Sequence, residues 1–406
     1  VSGGTVRTGR TGPAGHGLLL LGIILVAINL RPAISSFGPL VGEIRSDTGA
    51  SAAAIGVLGT LPVLCFGAFS AAAPRLARRF GMEEVLCLAL IVLSAGIMVR
   101  VVPGIGVFFA GTVLIGMAIA ICNVLLPVQI KRSFSAQTKR ISNMYVVVLS
   151  LAASLAAAVA VPLADAGLGW RWSLAIWALP AAAAALVWIR LARSGPASRP
   201  ETPPTIGVRS LVRSRLAVAV TLFMGLQAFG FYIILTWLPE ILVNFGQGQS
   251  VAAFIFAGAN LVGAIPIILL SVYGNRIHDD RPVVYAACSS TVAGAVVLIL
   301  AGSGLAGAII GSCLVGAGQG TAFALALSFF ASRSADTHVA AEMSGTGQSV
   351  GYLIAAASPF LAGIVHDATG GWKTVLVGLA VVVVLQAAVG AVAGRPATID
   401  RADFGE

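Results

Sequence analysis

Twelve stretches of this chain are each apolar for about 20 residues, the length a helix needs to cross the hydrocarbon core of a bilayer. They cover residues 17–39, 51–73, 83–101, 105–130, 141–165 and 171–192, then 215–241, 250–273, 283–302, 306–331, 345–366 and 372–393. Little chain is left over for a soluble domain. Charged residues make up 10% and hydrophobic ones 58%, whereas a soluble domain carries roughly 25% charged residues. The chain reads as an all-α polytopic membrane protein whose first partner is the lipid bilayer.

Twelve crossings put both termini on one side. Of the 25 basic residues, 20 fall in 1–16, 74–82, 131–140, 190–215, 274–282, 332–344 and 394–406, which all lie on that side. Only Arg45, Arg100, Arg171 and Lys373 fall on the other, and Arg31 lies inside a span. The positive-inside rule then makes both termini cytoplasmic. Arginine far outnumbers lysine, which suggests a GC-rich bacterial genome and hence an inner (plasma) membrane. The net charge of +10 is accounted for by this topology, so no nucleic-acid partner is expected. Residues 193–214 hold Gly195, Pro196, Pro200, Pro203 and Pro204 and read as a cytoplasmic linker. It separates a six-helix half, 17–192, from a second, 215–393, with cytoplasmic tails at 1–16 and 394–406. Trp170, Trp172, Trp237 and Trp372 fall at the outer ends of spans, as an aromatic belt would.

The two halves repeat with an offset near 200. Pro39, Gly49 and Ser51 match Pro239, Gly248 and Ser250; Arg132 matches Arg333; Asp165 and Gly169-Trp170-Arg171 match Asp367 and Gly371-Trp372-Lys373. A parallel repeat of two six-span halves is the plan of the major facilitator fold, with its cavity between the halves near the midplane.

Several motifs sharpen this. Asn29-Leu30-Arg31-Pro32-Ala33-Ile34 is followed by Gly38-Pro39-Leu40 and Glu43-Ile44-Arg45. Leu126-Pro127 with Ile130-Lys131-Arg132 ends span four, and Thr236-Trp237-Leu238-Pro239 ends span seven. Along nearly its full length the chain resembles the major facilitator superfamily, and in these motifs it is similar to the cyanate/nitroimidazole transporters. The resemblance implies a secondary transporter of small, often anionic or nitrogen-containing compounds. The superfamily loop after span two usually reads G-x-L-x-D-R-x-G-R-R. Here Arg79 and Gly81 match, Arg78 stands where the acid is expected, and Met82 and Glu83 stand where bases are expected. Asp280-Arg281 after span eight keeps the acid-base order. Arg79, Asp280 and Arg281 are therefore candidate gating residues on the cytoplasmic side.

Arg31 is the residue that needs an explanation. It lies about 21 Å into a core about 30 Å thick, counting roughly 1.5 Å per residue from Gly17. A charge at that depth costs several kcal/mol or more, and arginine does not deprotonate. None of the fifteen acids lies mid-span. Helical spacing places Ala27, Arg31, Ser35 and Gly38 on one small, polar face, and Pro32 interrupts the helix and frees a carbonyl near Ile28. One reading makes Arg31 the anchor of an anionic or electron-rich solute, through its planar fork. The other pairs it with a protein acid or lets it snorkel outward. Asn123, Gln227, Tyr232, Gln348 and Tyr352 are the expected companions in the cavity. Asn29 and Asn260 read as interhelical glue, and Gln319, among Gly316, Gly318 and Gly320, marks a close helix approach.

Nothing points to catalysis. His16, His278, His338 and His366 are scattered, and the five cysteines lie in apolar runs, so no enzyme, metal or cofactor is expected. Asp165 and Asp367, related by the repeat, are candidate outer-gate partners or else helix caps. A proton or an exchange anion is the candidate coupling partner. Two alternatives stay open. One is an exporter of drug-like or nitro-aromatic compounds lined by Phe231, Tyr232, Trp237 and Phe323. The other is a non-transporting receptor or assembly subunit.

Overall fold

The computed structural model describes residues 13–70, 72–134, 137–193, 212–273, 277, 279–335 and 337–399. Most of the linker expected at 193–214, and most of both tails, lie outside the described residues. Among the described residues, twelve long helices carry the fold. In the N half they are α1 (Pro13–Asn29), α2 (Ala52–Phe69), α3 (Met82–Val99), α4 (Ile105–Ser133), α5 (Thr138–Leu163) and α6 (Ala178–Arg193). In the C half they are α7 (Arg215–Asn244), α8 (Gln249–Tyr273), α9 (Arg281–Ala301), α10 (Leu305–Ser332), α11 (Thr337–Ala356) and α12 (Trp372–Ala393). By length and composition, eleven continuous helical runs among the described residues can cross a membrane. The run Met144–Arg193 has 50 residues, too long for one crossing. Gly167 (φ 94) and Gly169 (φ 66) turn the chain there, as residues without a Cβ can, and divide it into two crossings.

Helix ends run past the apolar stretches. Hydropathy marks only the lipid-embedded part, while α4 continues through Lys131, Arg132 and Ser133. A short basic helix, Ala73–Phe80, occupies the loop after α2. Span one is broken: α1 stops at Asn29, a one-turn helix occupies Pro32–Ser35, a 3-10 turn Gly38–Leu40, and a further helix Val41–Thr48. Span eleven breaks likewise before Pro359 and resumes as Ser358–Thr369.

Each half packs on itself: α3 against α4 and α6, α2 against α4, α8 and α9 against α10, and α7 and α9 against α12. Between halves, α5 lies along α8, and α2 lies along α11 and Ser358–Thr369. One end, the face opposite the termini, is sealed. A Cβ on Gly56 would lie 2.4 Å from the Pro359 carbonyl, one on Gly38 2.7 Å from that of Leu235, and one on Gly363 2.5 Å from that of Ala52. Polar links reinforce this contact. Arg45 pairs with Glu240 at 3.2 Å, and Gln249 donates to Glu43 at 2.9 Å. Asp367 accepts from the Ala53 amide at 3.0 Å, in the first turn of α2, where the helix dipole favours an anion. Within the C half, Trp237 donates to the Pro359 carbonyl and packs on Trp372 at 4.8 Å. Both are almost wholly buried, as is Trp170, while Trp172 is 53% exposed. Of the four tryptophans expected in an aromatic belt, only Trp172 is placed to join one. The others face the bundle, where Trp170 packs on Phe108 and Trp372 stacks on His366.

At the terminal face, by contrast, neither α4 nor α5 packs substantially on α10 or α11. The structure is closed at one end and parted at the other. Gly56→Ala should destabilise the seal by about 1–3 kcal/mol, the usual range for overpacking. Hydrogen exchange of peptides covering 50–60 and 357–367 should then accelerate, with α3 and α4 unchanged. Unaltered exchange at both peptides would contradict the seal.

Candidate functional site

The break in span one builds the site. Arg31 is the N-cap of Pro32–Ser35, with Pro32 in the first turn, where a missing N–H is harmless. Its carbonyl accepts from the Ser35 amide at 2.9 Å and the Ser35 hydroxyl at 3.1 Å. Ser35 also donates to the Ala153 carbonyl on α5. With its backbone satisfied this way, the Arg31 side chain projects into a cavity of about 370 Å³ between the halves. Its guanidinium carbon lies 5.5 Å from the centroid of the Phe231 ring. Among the described residues no carboxylate pairs with it. The face expected at Ala27, Arg31, Ser35 and Gly38 does not stay continuous. Arg31 and Ser35 line the cavity, while Ala27 is buried and Gly38 packs on α7, because the break resets the helical phase.

All six residues expected at the binding site, Arg31, Asn123, Gln227, Tyr232, Gln348 and Tyr352, line this one cavity. Gln348 donates to Ser344 at 2.6 Å, one turn back on α11. Gln227 reaches toward Gln319 at 3.5 Å. Tyr232 packs edge-on against Phe231, and Tyr352 against Phe66 of the N half. Asn29 bonds the carbonyls of Leu25 and Pro180, which is the glue expected of it. Asn260 bonds the Phe256 carbonyl but also lines the cavity, as do Gln319 and Tyr145. Tyr145 is a cavity residue that the sequence reading missed, and the signal for it is its place in the helically spaced series Tyr145, Leu149, Ala153 along α5. Pro127 and Leu327, toward the terminal ends of α4 and α10, line the cavity and are exposed, so the cavity opens to that face. Phe231, Tyr232 and Phe323 line it as well, but Trp237 does not. The wall thus combines one cation, five carboxamides and several aromatic faces.

The gating candidates separate. Asp367 reaches across the halves, as described above. Asp165 is exposed and forms no ion pair among the described residues, so the repeat-related pair is not equivalent. Arg79 is exposed and lies over the ring of its neighbour Phe80 at 5.1 Å. Asp280 and Arg281 do not pair with each other. Arg281 pairs with Asp279, and its hydrogen bonds hold that carboxyl down at about 2. Asp280 pairs with Arg333, and burial pushes its carboxyl up although that guanidinium opposes it. Arg333 also donates to the carbonyls of Ala393 at 3.0 Å and Gly394 at 3.1 Å. This ties α9, α10 and α12 together within the C half and crosses no interface. The repeat had marked Arg333, though not this role. Its counterpart Arg132 is exposed.

Asp280→Asn should lower the melting temperature strongly, because breaking a buried pair typically costs about 3–5 kcal/mol. Arg281→Gln removes an exposed pair that solvent screens and should barely move it. Equal shifts in a detergent melt would contradict this assignment.

Comparison with known proteins completes the site. The Major Facilitator Superfamily model matches residues 19–359. The 2-nitroimidazole transporter of Escherichia coli (strain K12) is 37% identical over 378 residues, which is 93% of this chain and 95% of that protein. The cyanate transport protein CynX of the same organism is 26% identical over 87% of this chain and 91% of its own length. Among solved structures, a mutant of the nucleoside transporter NupG superposes with a TM-score of 0.77 at 14% identity. That match covers 92% of this chain and 99% of the other and shows the shared fold.

Proposed function

This chain belongs to the major facilitator superfamily, and from that premise we propose that it carries a small anionic or nitrogen-containing compound across the inner membrane by alternating access, with Arg31 as the solute's anchor. The observation that carries this reading is a guanidinium with no carboxylate partner, among the described residues, in a cavity walled by both halves. A volume of about 370 Å³ suits a small molecule. The relatives' substrates, 2-nitroimidazole and cyanate, share delocalised electron-rich ends that a planar fork can grip. Phe231, Tyr232 and Tyr352 offer flat faces for a ring, and the carboxamides offer both donors and acceptors.

Coupling follows from the same charge. Parting the terminal ends lets water reach Arg31. Closing them over the empty cavity strands a cation in apolar surroundings, whereas closing them over a bound anion strands a neutral pair. Loaded carriers therefore cross more readily than empty ones, which suits exchange, or symport of a proton carried on the solute. The excess of basic residues at the terminal face supports a cytoplasmic orientation for that face. Export of nitro-aromatic compounds is the second reading, favoured by Phe231 and Phe323 in the cavity wall.

Proteoliposomes loaded and assayed with cyanate, 2-nitroimidazole and benzoate separate these readings. Arg31→Ala should weaken transport of a carried anion about 10- to 100-fold, the worth of a charged hydrogen bond of roughly 1.5–3 kcal/mol. Arg31→Lys should restore little of it, because the fork is lost. Undiminished transport in Arg31→Ala would overturn the anchor. In cells overexpressing the protein, protection from a toxic nitroimidazole indicates export, and sensitisation indicates import.

A further inference from the structure

Beyond the main cavity, toward the sealed end, lies a second one of about 10 Å³, room for roughly one water molecule. Leu58, Gly59 and Arg100 of the N half face Tyr232, Leu235 and Thr236 of the C half across it. It adjoins the main cavity, since Ile34, Tyr232 and Leu235 wall both. Arg100 is only 3% exposed and pairs with no carboxylate among the described residues. Its Nη1 donates to the Ala33 carbonyl at 2.8 Å. Its Nε and Nη2 donate to the Thr112 hydroxyl at 3.2 and 3.1 Å, and its guanidinium lies 5.1 Å from the Phe108 centroid.

All of these partners belong to the N half. When the sealed end opens, Arg100 keeps them and loses only the C-half wall of Tyr232, Leu235 and Thr236. The Ala33 carbonyl needs a donor, which a neutral amide could supply. A permanent charge adds attraction for an anion, and it adds a desolvation cost each time the end seals. Arg31 caps the one-turn helix Pro32–Ser35 and Ala33 lies within it, so both guanidiniums act on the same short stretch of backbone.

We propose that Arg100 is a second anion station, lining the vestibule that forms when the sealed end opens, where it meets the solute before Arg31 does. The proposal rests on the reading of Arg31 as anchor and of the halves as alternating. Resealing brings Tyr232 and Leu235 back over Arg100 and leaves Arg31 facing the remaining space, which transfers the anion inward. The ligand class is a small delocalised anion, an oxyanion or a pseudohalide.

The test uses thiol labelling and needs no transported solute. Leu58→Cys, beside Arg100, is placed in the otherwise native chain in sided membrane vesicles, with the unsubstituted protein as baseline for the native cysteines. Two impermeant methanethiosulfonates are compared, an anionic sulfonatoethyl and a cationic trimethylammonium reagent. Labelling is expected from the face opposite the termini. The anionic reagent should be favoured several-fold over its ratio on a free thiol. Arg100→Gln should abolish that preference and Arg100→Lys should keep it. No labelling from that face overturns the proposal, as does an anionic preference absent from the Leu58→Cys protein or unchanged by Arg100→Gln. If Arg31→Ala still weakens transport in that event, only the second station falls.

Discussion

A guanidinium inside an apolar bundle has to be neutralised, hydrated or abandoned, and it cannot shed its proton. Arg31 sets this constraint, and the surrounding structure answers it. Breaking the helix at Pro32 lets the residue's own backbone be satisfied by Ser35, which frees the side chain to reach into space that opens to one face. Phe231 supplies a ring beneath the charge, a contact worth about 0.5–2 kcal/mol depending on desolvation. That is too little to hold a cation in a dry site, so the geometry leaves a place for a solute to complete. Phe231 stands 200 positions after Arg31, at the offset of the internal repeat. Equivalent positions of the two halves therefore meet near their pseudo-symmetry axis, one carrying charge and the other a flat apolar face.

On the proposed mechanism, the sealed end is what lets such a cavity face one side at a time. Its closest approaches are backbone to backbone, across Gly38, Gly56 and Gly363, so the surfaces meet with few side chains to repack. The ion pair Arg45–Glu240 and the Asp367 contact are partly exposed and therefore individually weak. Such an interface can close firmly and still part. The buried Arg333–Asp280 network does the opposite work. It lies wholly within the C half and ties α9, α10 and α12 to one another.

Much of this was legible in the sequence for one reason. A polar side chain in an apolar helix has few places to go, so Asn123, Gln227, Gln348 and Tyr352 could be assigned to a common interior from composition alone. The crossings and the twofold plan followed from the same economy. What was not legible depended on tertiary partners. Arg100 looked like one of four ordinary basic residues at outer ends, because nothing in the sequence near it shows that Ala33 and Thr112 will enclose it. Trp237 and Trp372 looked like interface anchors, but they pack on each other inside the C half. Asp165 and Asp367 are matched by the repeat, yet only Asp367 meets the amino end of a helix from the other half. Helical phase misled once, at Ala27 and Gly38, because Pro32 breaks the register that the spacing assumed.

The central claim is that an anion on Arg31 permits the parted end to close. Double electron–electron resonance measures this directly, with spin labels on Arg132→Cys and Ser332→Cys, at the ends of α4 and α10 on the terminal face. Adding cyanate or 2-nitroimidazole should shift the distance distribution toward shorter values when Arg31 is present. In Arg31→Ala the distribution should not respond to either compound. A ligand-induced shortening that survives in Arg31→Ala would contradict the account.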